Sequence, residues 1–106
     1  MPTPRPGHPV RGSTTGRPIM AAMDLLGRRW ALRVIWELRD EPLGARALLA
    51  RCEGLSSSVL YQRLGELTES GLATAGEGGY ELTPLGRDLG RALGPLDEWA
   101  NRWAKT

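Results

Sequence analysis

The 106-residue sequence predicts a mainly α-helical domain with one small β-hairpin. Three observations carry that expectation. Apolar residues recur at helical spacing in successive segments, above all Val59, Leu60, Leu64 and Leu67. Two helix starts are written into Leu55-Ser56, a staple and cap, and Thr83-Pro84, a cap followed by a first-turn proline. Between the last two helices, Gly76-Glu77-Gly78-Gly79 separates two short runs able to pair as strands.

Residues 1–18 hold five prolines and three glycines and little that can be buried, so they are expected as a disordered Pro/Gly/Arg tail ahead of a domain spanning 19–106. The tail is either an inert leader, the preferred reading, or an arginine arm along a DNA backbone. Ile19 to Leu26 reads as a short apolar helix ending near Gly27. A second helix is expected to start at Arg28 or Arg29, with Trp30, Ala31, Val34, Ile35 and Leu38 forming a central buried stripe. Trp30 is assigned to the core rather than to a ligand platform.

Pro42 stops that helix, and Glu41 to Leu43 is expected as a minimal strand. Arg46 to Cys52 reads as a two-turn helix, Glu53-Gly54 as a tight turn, and the segment from Leu55 to Leu72 as an amphipathic helix capped by Ser56 and stopped by Gly71. Leu72 to Ala75 and Tyr80 to Leu82 are the hairpin strands, and the last helix runs from Thr83-Pro84 to about Ala104. Gly86, Gly90 and Gly94 mark either close helix contact or helix weakness. Leu89, Leu93, Leu96, Trp99 and Trp103 line one side of that helix with more apolar surface than so small a domain covers, and are assigned to a subunit interface.

The net charge of +2 divides unevenly. Arg5, Arg11 and Arg17 give the tail +3, leaving −1 for residues 19–106. Within the domain, residues 28–63 carry seven arginines against four acids, and residues 64–106 four basic groups against seven acids. Such polarity suits a protein that approaches a polyanion in one orientation. The single cysteine, Cys52, forms no intramolecular disulfide, which fits a reducing, cytoplasmic setting. No apolar run approaches the roughly 20 residues that span a bilayer, so no membrane partner is expected. His8, the only histidine, lies in the tail, and no metal cluster, cofactor loop or nucleophile–base pair is visible. Catalysis and metal binding are therefore not expected.

The ordered elements describe a winged helix-turn-helix, and from about Ile19 to Trp103 the chain resembles the HxlR-type transcriptional regulators. The family's Gly-Lys-Trp motif is met by Arg28, Arg29 and Trp30, with arginine where glycine is usual. Its Pro-Gly-Ile-Ser, Leu/Gln-rich and Asp-Gly-Leu pattern falls on Glu53, Gly54, Leu55, Ser56, Leu60, Gln62, Leu64, Glu66, Leu67, Glu69, Ser70, Gly71 and Leu72. Its Tyr-x-Leu-Thr-x-x-Gly signature stands intact as Tyr80, Leu82, Thr83 and Gly86.

The resemblance implies a homodimer joined through its first and last helices, including Met20 and Met23, with two helices entering successive major grooves of double-stranded DNA. It makes Ser57, Ser58, Tyr61 and Gln62 the base-edge candidates, and Arg46, Arg63 and Ser56 the phosphate contacts. The expected function is sequence-specific transcriptional regulation, with repression preferred for a compact binder, in the bacterial cytoplasm and on the nucleoid when bound. The alternative is a winged-helix interaction or architectural module that has lost base reading.

Departures from the pattern shape further expectations. Arg17, Pro18 and Ile19 stand where many members carry a reactive cysteine, so the familiar redox switch is absent, and Cys52 is expected as a buried, unreactive thiol. Gly44 and Ala45 replace an Arg-Phe pair, Gly65 replaces a polar or basic residue, and the GEGG wing carries no cation. DNA contact by that wing is not expected. The four tryptophans raise a small-molecule effector in a cleft between the central helix and the dimer helices, against the simpler expectation of core and interface packing.

Overall fold

A computed structural model describes residues 2–106. The elements follow in the order α1 (Pro18–Leu26), α2 (Ala31–Leu38), α3 (Ala45–Arg51), α4 (Ser57–Glu69), β1 (Ala73–Gly76), β2 (Gly79–Leu82) and α5 (Pro84–Ala104). This is a mainly α-helical winged fold with one antiparallel hairpin.

The stripes read from the sequence form the core. Ala31, Val34, Ile35 and Leu38 of α2 face inward at successive helical repeats, and Leu60, Leu64 and Leu67 of α4 meet them with Leu48 of α3 and Cys52. Local chemistry sets the ends of α4. The Ser56 hydroxyl accepts from the Val59 amide at 3.2 Å, and the buried Leu55 joins Leu60 in the core. At the other end Gly71, at φ 79°, reverses the chain so that the Leu72 amide donates to the Leu67 carbonyl at 2.9 Å and the Gly71 amide to that of Thr68 at 3.1 Å.

β1 and β2 pair with Ala73 opposite Leu82 and Gly76 opposite Gly79. The strand expected over Glu41 to Leu43 is a single bridge, in which the Leu43 and Tyr80 amides each donate to the other's carbonyl at 2.9 and 2.8 Å. The hairpin tip rests on that segment: a Cβ at Gly79 would lie 2.5 Å from the Gly44 nitrogen, and one at Gly78 would lie 3.2 Å from the Pro42 Cβ.

Thr83 starts α5 with two bonds. Its hydroxyl accepts from the Gly86 amide at 3.1 Å and donates to the Gly71 carbonyl at 2.6 Å. The three glycines of α5 have unlike surroundings. A Cβ on Gly86 would fall 2.0 Å from the Leu72 carbonyl oxygen, one on Gly90 would make ordinary contact with Leu82 and Arg39, and one on Gly94 would meet nothing within 4 Å. Pro95, inside the helix, withholds the amide that would have bonded the Arg91 carbonyl.

Two boundaries depart from expectation. α2 begins at Ala31 rather than at Arg28 or Arg29, because Trp30 adopts a left-handed conformation at φ 72° and breaks the helix there. Trp30 is half-buried against the core, with Cζ2 at 3.9 Å from where a Cβ on Gly54 would lie, so it covers the turn ahead of α4. Residues 2–17, expected as a disordered tail, follow a defined path: Val10 and Ser13 form a bridge, the Arg11 amide donates to Asp24, and Pro4 and Gly16 are buried. The Thr3 hydroxyl donates to Glu69 at 2.7 Å, which sets this segment beside the end of α4.

Candidate nucleic-acid interface

The α3–turn–α4 unit presents one side of α4 outward. Leu60, Leu64 and Leu67 point into the core, which leaves Ser57, Ser58, Tyr61, Gln62 and Gly65 exposed together on the opposite side. Tyr61 is 55% exposed. Three of these residues are short or lack a side chain, and none is charged, so the outward surface is flat and neutral with a phenol and a primary amide as its longest polar groups. The four residues predicted to meet base edges are thus together on one open surface. Ser56 is spent on capping, and its hydroxyl also lies 3.3 Å from that of Ser58.

Arg63 is placed differently from its expected phosphate-contacting position. Its side chain is 14% exposed and folds back across α4: Nη1 pairs with Glu66 at 2.8 Å and Nε donates to the Arg29 carbonyl at 2.6 Å. Glu66 in turn pairs with Arg28, whose other terminal nitrogen donates to the Pro2 carbonyl at 2.9 Å. A carboxylate shared by two arginines is nearly satisfied where it stands, and releasing Arg63 would strand a partly buried charge. Arg63 therefore fastens α4 to the loop between α1 and α2.

Between residues 28 and 63, the cations left without an ion pair are Arg46 and Arg29. Both are exposed, and neither side chain enters an ion pair among the described residues. Arg46 lies in the first turn of α3. From sequence, Arg29 stands only in a helix start and in the Gly-Lys-Trp resemblance, not as a site residue; its position beside α4 follows from the bond its carbonyl accepts. Arg33 and Arg51 are committed to Glu37 and Glu41. The wing turn offers Glu77 and no cation.

Other predicted residues divide between surface and core. Met23, Leu96, Trp99 and Trp103 are exposed, Trp103 at 66%, and the two tryptophan rings stack with centroids 5.4 Å apart and planes 19° from parallel. Met20 and Leu89 are half-buried. Leu93, expected at the subunit surface, is 8% exposed and belongs to the core cluster, because it turns toward α2, whereas Leu96, three residues on, is 49% exposed. Ile19 and Leu85, at the starts of α1 and α5, are exposed as well.

Cys52 is fully buried. Loss of solvation pushes its thiol upward against a weaker pull from Arg33, and the Glu37 carboxylate adds a weaker push still in the upward direction. Among the tryptophans, Trp36 carries the Arg39 guanidinium 3.6 Å over its ring and lines a cleft of about 260 Å³ between α2 and α5 with Leu32, Leu93 and Leu96. Trp30, Trp99 and Trp103 do not line it. A larger cleft of about 660 Å³ lies between α1 and the start of α5, walled by Leu25, Leu72, Leu85 and Leu89 and bordered by Pro4 and Glu69.

A two-helix unit with a capped, outward-facing second helix, followed by a hairpin and a long closing helix, defines a winged helix-turn-helix DNA-binding protein. Residues 25–106 match the HxlR-like helix-turn-helix family, and the chain belongs to it. It is 30% identical over 89 residues to YvaP, an uncharacterised HTH-type transcriptional regulator of Bacillus subtilis, covering 77% of this chain and 82% of that one. An uncharacterised HTH-type transcriptional regulator of Mycobacterium tuberculosis is 33% identical over 105 residues, covering 91% of this chain, which spans 62% of that relative. The crystal structure of quinone-bound YodB from B. subtilis superposes with a TM-score of 0.74 at 27% identity, covering 80% of this chain and 97% of that one. The protein is an HTH-type transcriptional regulator, not an enzyme. No helix among the described residues is long and apolar enough to cross a membrane.

Proposed function

We propose that this protein is a homodimeric, sequence-specific transcriptional regulator that reads double-stranded DNA with α4 and acts as a repressor. The observation that carries this reading is the joint exposure of Ser57, Ser58, Tyr61 and Gln62 on one side of a capped helix whose other side is locked in the core. Gln62 can offer a paired donor and acceptor to adenine, the serine hydroxyls can accept or donate at either base type, and Tyr61 can reach a phosphate or sugar edge. Arg46 and Arg29 are the phosphate contacts, since Arg63 is held by Glu66 and Ser56 by its cap.

Two copies join through exposed apolar residues of α1 and the outer part of α5, with Met20, Met23, Leu96, Trp99 and Trp103 in the interface and Leu89 at its edge. Dimerisation would cover two large aromatics that otherwise stand in water. A compact regulator of this kind represses by occupying DNA that polymerase needs, and it works in the bacterial cytoplasm on the nucleoid. An effector small molecule is part of the reading: the similar YodB was solved with a quinone bound, and the cleft between α1 and α5 adjoins Glu69 of α4.

Binding of the full chain to DNA from its own upstream region, against a scrambled duplex at physiological salt, tests this reading. Preferential binding supports it. Equal, weak binding to that duplex, to the scrambled one and to every duplex selected from a random pool would favour an architectural or protein-interaction module instead.

A further inference from the structure

We propose that Gly65 determines how closely α4 beds against DNA, and therefore how selectively it reads, by letting helix backbone take the place of a side chain at the centre of the contact. The inference rests on the assignment of α4 as the DNA-facing helix.

Glycine is the poorest helix former short of proline, so its presence inside α4 calls for a reason. The described residues supply none. A Cβ at Gly65 would meet nothing within 4 Å, and the residue is absent from the glycines with positive φ. Elsewhere reasons are visible: Gly86 is crowded by the Leu72 carbonyl, Gly71 reverses the chain at φ 79°, and Gly94 precedes Pro95, where larger residues resist helical geometry.

Position sharpens the contrast. Gly65 lies three and four residues beyond Gln62 and Tyr61 and three and four before the exposed Thr68 and Glu69, on the same side of α4. Ser57 and Ser58 keep the first turn low, and Arg63, the only cation on α4, is drawn away by Glu66 and the Arg29 carbonyl. Apart from Tyr61 and Gln62, which can reach toward the duplex themselves, no long exposed side chain stands between the first turn and Gly65 to hold the helix off. A side chain at 65 would stand between the backbone and the duplex while disturbing nothing inside the protein.

The test uses the full chain and duplexes that it selects from a fully randomised pool. Thermal midpoint and affinity are measured for the wild type, Gly65→Ala and Gly65→Gln on the selected duplex and on a scrambled one. Gly65→Ala is expected to melt at the same or a higher temperature while losing about tenfold or more in affinity for the selected duplex. It should lose little on the scrambled duplex, and Gly65→Gln should lose more selectivity than Gly65→Ala. Wild-type affinity and preference in Gly65→Ala would overturn the proposal. So would a lowered melting temperature, which would assign the glycine to folding. If Ser57→Ala and Gln62→Ala weaken selected binding and Gly65→Ala does not, only the role of Gly65 is lost. If selection returns no shared sequence, the DNA-reading assignment of α4 fails and the proposal fails with it.

Discussion

Arg63 and Glu66, one turn apart on α4, are joined at 2.8 Å with both side chains largely withdrawn from water, at 14% and 13% exposure. Because Glu66 also pairs with Arg28, α4 is tied to the loop between α1 and α2 through a single carboxylate. An outward-pointing arginine at 63 would have added affinity for any duplex; turned inward, it fixes the attitude of the helix that carries Gln62.

Glu66→Gln removes the charge that both arginines share and leaves them facing one another in a partly buried site. The expected cost is about 1–3 kcal/mol in folding free energy, read from urea unfolding. An unchanged midpoint would show that the cluster is solvated in solution.

Arg29→Ala and Arg46→Ala should each weaken binding to selected and scrambled DNA alike, and reduce the slope of log affinity against log salt by about one. Arg63→Ala should leave that slope unchanged and lower stability instead. A reduced slope for Arg63→Ala would return that residue to the phosphate-contacting role its sequence position implies.

Gly86→Ala would press a methyl group against the Leu72 carbonyl, whose nearest approach to an ideal Cβ is 2.0 Å. Relief requires α5 to move off the hairpin, at a cost of about 2 kcal/mol or more. Gly90→Ala, with open van der Waals contact, should be neutral or stabilising by up to about 1 kcal/mol. Equal melting temperatures for the two variants would contradict this division.

The Cys52 thiol should resist alkylation in the native protein and react only as the chain unfolds. Its ordinary value is 9.0, and burial raises it in the folded state. As pH climbs past that ordinary value the unfolded chain releases the proton first, so stability is full below it and falls above it. Mass spectrometry after brief alkylation, with and without denaturant, measures the protection; rapid native labelling would place the thiol at the surface.

Trp99→Ala combined with Trp103→Ala should convert a dimer to a monomer of unchanged helix content, as read by sedimentation and circular dichroism. Both rings are largely exposed and outside the core cluster, so their loss opens no cavity inside the protomer. A dimer that survives both substitutions would move the interface elsewhere.

What the sequence discloses follows the reach of each interaction. Ser56 and Thr83 cap amides three residues away, and Leu60, Leu64 and Leu67 share a side by helical repeat alone, so the boundaries and outward surface of α4 are legible from neighbours in the chain. The left-handed Trp30 is not legible, because covering the turn at Gly54 requires the α3–α4 packing to exist first. The fate of Arg63 depends on Arg28 and the Arg29 carbonyl, more than thirty residues distant. Leu93 and Leu96 belong to one stripe, yet Leu93 is in the core cluster and Leu96 is 49% exposed. Gly86, Gly90 and Gly94 look equivalent as letters and differ only in what stands opposite them.

Reading of DNA sequence by the outward side of α4 is tested by competition between a selected and a scrambled duplex for the wild type and for Ser57→Ala/Gln62→Ala. Both side chains are exposed and can be cut back without touching the core. The double variant is expected to be stable, to keep its binding to scrambled DNA and to lose most of its preference for the selected duplex. A double variant that discriminates as well as the wild type would contradict sequence reading by α4.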